Sequence, residues 1–196
     1  MKLDIREQDV SDLEHYSSIP IAFKVSNVFD IEEESNIGAA TLKERTLARS
    51  YVKDYDAICG EHPTDWPSRF DASNWKMFTA YLNGQLVGGA VVAMKTPSLN
   101  MLGGRNDVAL IWDIRVAPES RGHGVGTSLF RAAEAWSRSQ GCRQLKVETQ
   151  NINVPACRFY ERQGCILITV DRHAYRNLPD EIQLLWQKNL AKATGQ

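Results

Sequence analysis

Twelve consecutive residues, Val116-Ala117-Pro118-Glu119-Ser120-Arg121-Gly122-His123-Gly124-Val125-Gly126-Thr127, bring together the types that hold a phosphate. They join an apolar, β-branched run to an amphipathic one. The glycines at 122, 124 and 126 let the backbone turn sharply, put no side chain in a ligand's way, and leave N–H groups unpaired at the positive end of the following helix. Such a place binds an anion. Arg121 adds a cation suited to a diphosphate, and His123, inside the segment, is read as a spectator. Two nucleotide motifs are excluded: the glycine spacing does not fit Gly-x-Gly-x-x-Gly, and the Gly-Lys-Ser/Thr of a Walker loop is absent.

Periodicity supplies the elements that must position this segment. Trp75 to Leu82 and Gln85 to Met94 are strand-like runs around Asn83-Gly84, a pair that tolerates positive φ at both turn positions, so a β-hairpin is expected. Asp107 to Val116 reads as a strand that stops at Pro118. From Val125 to Gln140, apolar residues at Val125, Leu129, Ala132, Ala133 and Trp136 form one stripe of a helix that Gly141 ends. Leu145 to Thr149 is a short strand. Asn153 caps a second helix with Pro155 in its first turn and Gly164 at its end, and strands over Cys165 to Val170 and Glu181 to Trp186 complete the series. Earlier in the chain, Ile21 to Phe29 is expected as a first strand followed by the acidic run Asp30 to Glu34, and residues 1–20 show no clear element. Gly60 to Ser73, with Pro63 and Pro67, reads as a surface loop. One domain over residues 1–196 is expected from the length.

Arg121-x-x-Gly124-x-Gly126 resembles the acyl-CoA diphosphate loop of the GNAT family of N-acetyltransferases. Asn153-x-x-Ala156-x-x-Phe159-Tyr160-x-x-x-Gly164 resembles that family's Asn-x-x-Ala-x-x-x-Tyr helix, one strand further on. Cys165 stands where the family usually has Phe, which touches a packing expectation only. The resemblance implies an α/β (α+β) GNAT fold: a mixed, mostly antiparallel central sheet of six to seven strands flanked by about four helices. Its acetyl-CoA core would lie at about residues 75–190. It implies an N-acetyltransferase with acetyl-CoA as cosubstrate and no metal.

The same resemblance assigns roles. The backbone of Ile114, Arg115 and Val116 would pair with the pantetheine arm, while Arg121 and the amides of Gly122, His123, Gly124, Val125, Gly126 and Thr127 would hold the diphosphate. Asn153, with Ala156 on the same turn, resembles the asparagine that binds pantetheine; a plain helix cap explains it equally. Tyr160 resembles the acid that protonates the departing thiolate, against a packing role for an aromatic on an amphipathic helix. Glu148, by its spacing to Asn153 and Tyr160, resembles the base of the ribosomal-protein alanine acetyltransferase branch. Asp113 is its rival, and a solvated strand carboxylate is the alternative for either.

Tyr51-Val52-Lys53-Asp54-Tyr55, Glu148-Thr149-Gln150 and Asn153-Val154-Pro155-Ala156-Cys157 resemble segments of streptothricin acetyltransferases within that family. This implies a small cationic amine such as streptothricin as the acceptor, with Tyr51, Asp54 and Tyr55 at the substrate. Asp54, Asp56, Glu61, Asp65 and Asp71 outnumber Lys53 and Arg69 here, a balance that suits a cation and equally a solvated loop. A protein or peptide Nα-acetyltransferase and a non-catalytic acyl-CoA-binding module stay open, and a homodimer is allowed, dimers being frequent in the family. Lys+Arg at 23 against Asp+Glu at 24 leaves no basic field for nucleic acid. The first residues are too charged for a signal peptide, and no run approaches the roughly 18 apolar residues of a membrane span. A cytoplasmic protein with no membrane partner is therefore expected. Cys59, Cys142, Cys157 and Cys165 lack metal-ligand spacing and are read as reduced, buried thiols.

Overall fold

The computed structural model describes residues 2–33 and 40–190. In chain order its elements are β1 (Leu3–Gln8), α1 (Leu13–Ser17), β2 (Phe23–Glu33), β3 (Ala40–Lys53), α2 (Trp66–Arg69), β4 (Lys76–Leu82), β5 (Gln85–Met94), β6 (Val108–Val116), α3 (Val125–Ser139), β7 (Gln144–Gln150), α4 (Val154–Arg162), β8 (Ile166–Asp171) and β9 (Gln183–Asn189). They fall into two compact units. The first holds the described residues of Met1–Ala22, Asp54–Lys146 and Asn189–Gln196, the second Phe23–Lys53 and Val147–Lys188.

In the first unit β1, β4, β5 and β6 lie side by side in that order, each antiparallel to its neighbour. From Val87 to Met94, β5 carries no polar side chain and is buried throughout, as a strand covered on both faces must be. Gly88 and Gly89 define the two covers. A Cβ at Gly88 would stand 2.9 Å from Val125 and 3.1 Å from Leu129 of α3; one at Gly89 would stand 2.5 Å from the Tyr16 ring of α1. Successive strand residues face opposite ways, so α3 packs on one face of this sheet and α1 on the other. The apolar core on the α1 side includes Tyr16, Trp66, Trp75, Met77, Val91 and Leu110. A bulge opposite Val91 and Val92 leaves Trp112 of β6 without a register partner.

In the second unit β7, β9 and β8 lie in that order, and β2 and β3 form a separate antiparallel hairpin. Thr149 Oγ1 accepts from Trp186 Nε1 at 2.8 Å and lies 3.3 Å from Cys157 Sγ, which ties together β7, β9 and α4. Burial pushes the Cys157 thiol up to about 12. Among the described residues the seven strands β1 and β4 to β9, with four α-helices, match the expected sheet-and-helix class, and β2 and β3 are additional to them.

The elements from Lys76 onward lie within three residues of their expected places, and Asn83-Gly84 turns with φ of 52° and 83°. The first third differs. β1 forms where the sequence shows no clear element, because it alternates Asp4 and Arg6 with Leu3 and Ile5, the polar pattern of a sheet-edge strand. β2 continues through the acidic run, because Asp30 and Glu32 meet Arg45 and Lys43 across the hairpin; Glu34, the last residue of that run, lies outside the described residues. The expected surface loop instead carries α2 and buries Trp66 in the core. Three cysteines are buried as expected, and Cys59 is exposed.

The close approach at Gly89 gives a stability prediction. Tyr16 is fully buried and cannot retreat, so Gly89→Ala is expected to cost about 1–3 kcal/mol by overpacking. Urea unfolding measures this, and an unchanged midpoint would contradict the two-cover arrangement.

Candidate active site

The glycine segment sits where β6 gives way to α3. Ala117 N donates to Val87 O at 2.9 Å, Ser120 N to Ala117 O at 2.8 Å and Arg121 N to Pro118 O at 3.3 Å, so one 3₁₀ turn over Pro118–Ser120 reverses the chain. Gly122 and Gly124 follow with φ of 77° and 81°, the left-handed region that glycine enters at no steric cost. Gly124 is the N-cap of α3, and Ser128 N makes the first helical bond to its carbonyl at 3.0 Å. The amides of Val125, Gly126 and Thr127 therefore belong to the helix turn that has no carbonyl of its own to bond, and no side chain caps it. A Cβ at either Gly122 or Gly124 would meet nothing within 4 Å. The turn opens onto free space.

Arg121 braces this turn. Its Nε donates to Val116 O at 2.9 Å and its Nη2 to Ala22 O at 3.1 Å. Burial lowers its pKa from the ordinary arginine value, yet arginine keeps its charge at neutral pH. His123 is exposed.

Just upstream on β6, Asp113 and Arg115 form a buried charge cluster. Arg115 donates through Nε to Asp113 Oδ1 at 2.9 Å and through Nη2 to Asp113 Oδ2 at 2.7 Å. It also reaches Asp56 Oδ2 at 2.8 Å and Ile19 O at 3.1 Å through Nη1. Tyr16 Oη donates to Asp113 Oδ1 at 2.5 Å. Burial opposes the Arg115 charge, but Asp113, Tyr16 and Asp56 outweigh it and hold the guanidinium above its ordinary pKa. Burial, then the Asp113 charge, pushes the Tyr16 hydroxyl up as well. Both oxygens of Asp113 are thus committed to the scaffold. Ile114 and Val116 contribute backbone to the β5–β6 ladder, opposite Ala90 and Gly88.

In the second unit Glu148 lies on β7 among neutral donors. Gln183 Nε2 donates to Oε2 at 2.7 Å, Gln150 Nε2 to Oε1 at 3.3 Å, and the Tyr175 hydroxyl also donates to Oε1. Asn153 is the N-cap of α4, its Oδ1 accepting from Ala156 N at 3.2 Å. The capping role is therefore realised. Tyr160 is buried on α4 beside Phe159, with ring centroids 5.1 Å apart.

The residues expected at the acceptor fall in both units. Tyr51, in the second unit, is half exposed on β3 and lines a cavity of about 560 Å³ with Asp30, Arg45, Arg172 and Asp180. Burial, then the Glu181 and Asp180 charges, raises its hydroxyl pKa. Asp54, in the first unit, accepts from Asp56 N at 3.1 Å, and Tyr55 O accepts from Ile58 N at 3.0 Å, so both shape a local turn. Tyr16, Asp56, Tyr175 and Gln183 neighbour Asp113, Arg115 or Glu148 without belonging to any sequence motif. Only Asp56 carried a signal, as one of the acidic residues counted between 54 and 71.

The acetyltransferase (GNAT) family model matches residues 41–165, from β3 through α4 to the residue after Gly164. The chain belongs to the GNAT acetyltransferase family. The resemblance carried by Arg121, Gly124, Gly126, Asn153 and Tyr160 is thereby borne out, and with it the enzyme class, an N-acetyltransferase. Streptothricin acetyltransferase A of Bacillus subtilis (strain 168) is 31% identical over 151 residues, 76% of this GNAT chain and 79% of that protein. Streptothricin acetyltransferase of Streptomyces lavendulae is 27% identical over 178 residues, 91% and 89% of the two. Among solved structures, nourseothricin acetyltransferase superposes with a TM-score of 0.75 at 26% identity, covering 97% of this chain and all of that one, 100%. A Bacillus anthracis protein solved in complex with acetyl coenzyme A gives 0.76 at 26% identity, covering 96% and 99%. The expected GNAT fold is confirmed by these superpositions. Among the described residues no group of three or more His, Cys, Asp or Glu is placed to hold a metal, and no helix is long and apolar enough to cross a membrane.

Arg115→Met leaves Asp113 and Asp56 without their cation. The expected loss of stability is about 3–5 kcal/mol, the cost of breaking one side of a buried pair. Chemical denaturation decides it; a loss under about 1 kcal/mol, the worth of an exposed pair, would mark the cluster as superficial.

Proposed function

We propose that this chain transfers the acetyl group of acetyl-CoA to a primary amine of a small cationic molecule, streptothricin or a compound of that kind. The observation that carries the reading is the open glycine turn on the uncapped start of α3, with Gly122 and Gly124 at positive φ and nothing within 4 Å of either Cβ position. Those features fit a diphosphate, which needs several convergent amides and room for its oxygens. The relatives' names support the acceptor class, and the Bacillus anthracis structure with acetyl coenzyme A supports the cosubstrate.

Acetyl-CoA supplies an acetyl thioester, and the chain's residues manage protons around it. The amides of Gly122 to Thr127 hold the diphosphate while Arg121 keeps the turn in shape. Glu148 accepts one proton from the acceptor's ammonium, which frees the nitrogen lone pair; the new C–N bond forms as the C–S bond breaks. Tyr160 gives a proton to the leaving sulfur and recovers one from the nitrogen. The net products are the N-acetyl amine, CoA thiol and one proton released from Glu148 to water. Glu148 is preferred to Asp113 because neutral donors surround it, whereas Asp113 is enclosed by Arg115 and Tyr16. Tyr51 is assigned to the acceptor because it is half exposed beside Asp180 and Glu181.

A thiol-release assay with acetyl-CoA and a panel of amines tests the reading. Turnover with free cationic amines and none with peptides is expected; the reverse result would select a peptide Nα-acetyltransferase. Tyr160→Phe and Glu148→Gln are each expected to lower kcat by roughly 10²-fold or more while CoA affinity holds. Unchanged kcat in either variant removes that residue from the chemistry. Gly124→Leu is expected to abolish CoA binding in a folded protein, because a side chain at positive φ strains the turn and fills the open space.

A further inference from the structure

The geometry points to Tyr175 as a positioning residue for the transfer: its hydroxyl, with Gln150 and Gln183, fixes the Glu148 carboxylate as an anion in one orientation. The inference rests on Glu148 being the base and adds to that reading a residue for which no sequence motif exists.

The hydroxyl's direction is set by its surroundings. Gln150 Nε2 donates to Tyr175 Oη at 3.0 Å, so the oxygen's accepting side is taken and its own proton goes to Glu148 Oε1. Gln183 Nε2 holds Oε2 at 2.7 Å. Donors on both oxygens favour the charged form of a carboxylate and hold its plane. Burial first, and then the adjacent Glu148 charge, raises the Tyr175 pKa, so this hydroxyl stays a donor across the working pH range.

Tyr175 is brought there by the segment between β8 and β9, residues 172–182, which is anchored along its length. Arg172 Nη2 donates to Ile31 O at 2.9 Å, and Leu178 N donates to Tyr175 O at 3.2 Å. Glu181 pairs with Lys53 in a nearly buried ion pair. Asn151 then clamps the far end with all four of its polar groups: N to Ile182 O at 3.0 Å, Oδ1 from Ile182 N at 2.9 Å, O from Phe29 N at 2.9 Å and Nδ2 to Phe29 O at 3.1 Å. The ionisable groups facing this arrangement include Tyr175 itself, Glu181 with its charge toward Tyr175, and Lys53, which is paired to Glu181. Gln150 and Gln183 are neutral.

The test is a carbon-13 titration of the glutamate carboxyls in the free protein, with Glu148 identified by the signal that Glu148→Gln removes. Tyr175→Phe keeps the ring and deletes one donor. The Glu148 titration is expected to move upward by roughly one pH unit, the size of one lost hydrogen bond to a charge, and the acidic limb of kcat/KM with it, while CoA affinity stays unchanged. 3-Fluorotyrosine at 175, a stronger donor of nearly the same shape, is expected to move both downward, and it serves if the Phe variant does not fold. An unmoved Glu148 titration in either variant overturns the role of Tyr175. Wild-type activity in Glu148→Gln would instead overturn the base assignment, so the two failures are separable.

Discussion

The first turn of an α-helix presents N–H groups that no carbonyl of the helix can receive. In α3 this constraint is sharpened, because the N-cap is Gly124, which has no side chain to substitute. Much of the first unit keeps that bare end in one place. Val125 and Leu129, one and five residues into the helix's sequence from Gly124, press on Gly88 of the fully covered strand β5. Ala117 N is pinned to Val87 O, and the Arg121 side chain closes the turn onto Val116 O. A helix start held this rigidly keeps its partial positive charge aimed without reorganisation, which is what a site for an anionic cosubstrate requires.

Two carboxylates that look alike as strand residues are treated differently by their neighbours. Asp113 is enclosed by a guanidinium that is itself buried; Tyr16, which donates to Asp113, comes from α1, and Asp56, which pairs with Arg115, from the segment before α2. That cluster makes Asp113 a fastener between distant parts of the first unit. Glu148 is met by amides and a hydroxyl, which hold its carboxylate in position. The family motifs cannot make this distinction, since they specify residues along the chain and not who faces them.

Legibility followed locality. The loop and the two helices were readable because their signals are short-range: glycine at positive φ, Asn153 bonding Ala156 three residues on, and an apolar stripe spaced for α3. β1 was hidden because an edge strand alternates charge with apolar residues, and the acidic half of β2 because its compensating Lys43 and Arg45 lie more than ten residues away. Trp66 falls in a segment that reads as surface loop for the same reason, since the neighbouring prolines announce a turn but not the aromatic core that captures it. Tyr175 sits in a polar segment between strands, and long-range anchors such as the clamp at Asn151 and Ile182 bring it to Glu148. Around the site, residues that bond near themselves were visible and those that bond across the fold were not.

The most direct measurement is a titration of isotopically labelled protein with CoA, following the backbone amide resonances of Gly122, His123, Gly124, Val125, Gly126 and Thr127. Saturable downfield movement of these amides, stronger than elsewhere in α3, is the expected result for a diphosphate seated on the helix start. CoA binding that leaves all six unmoved would contradict it.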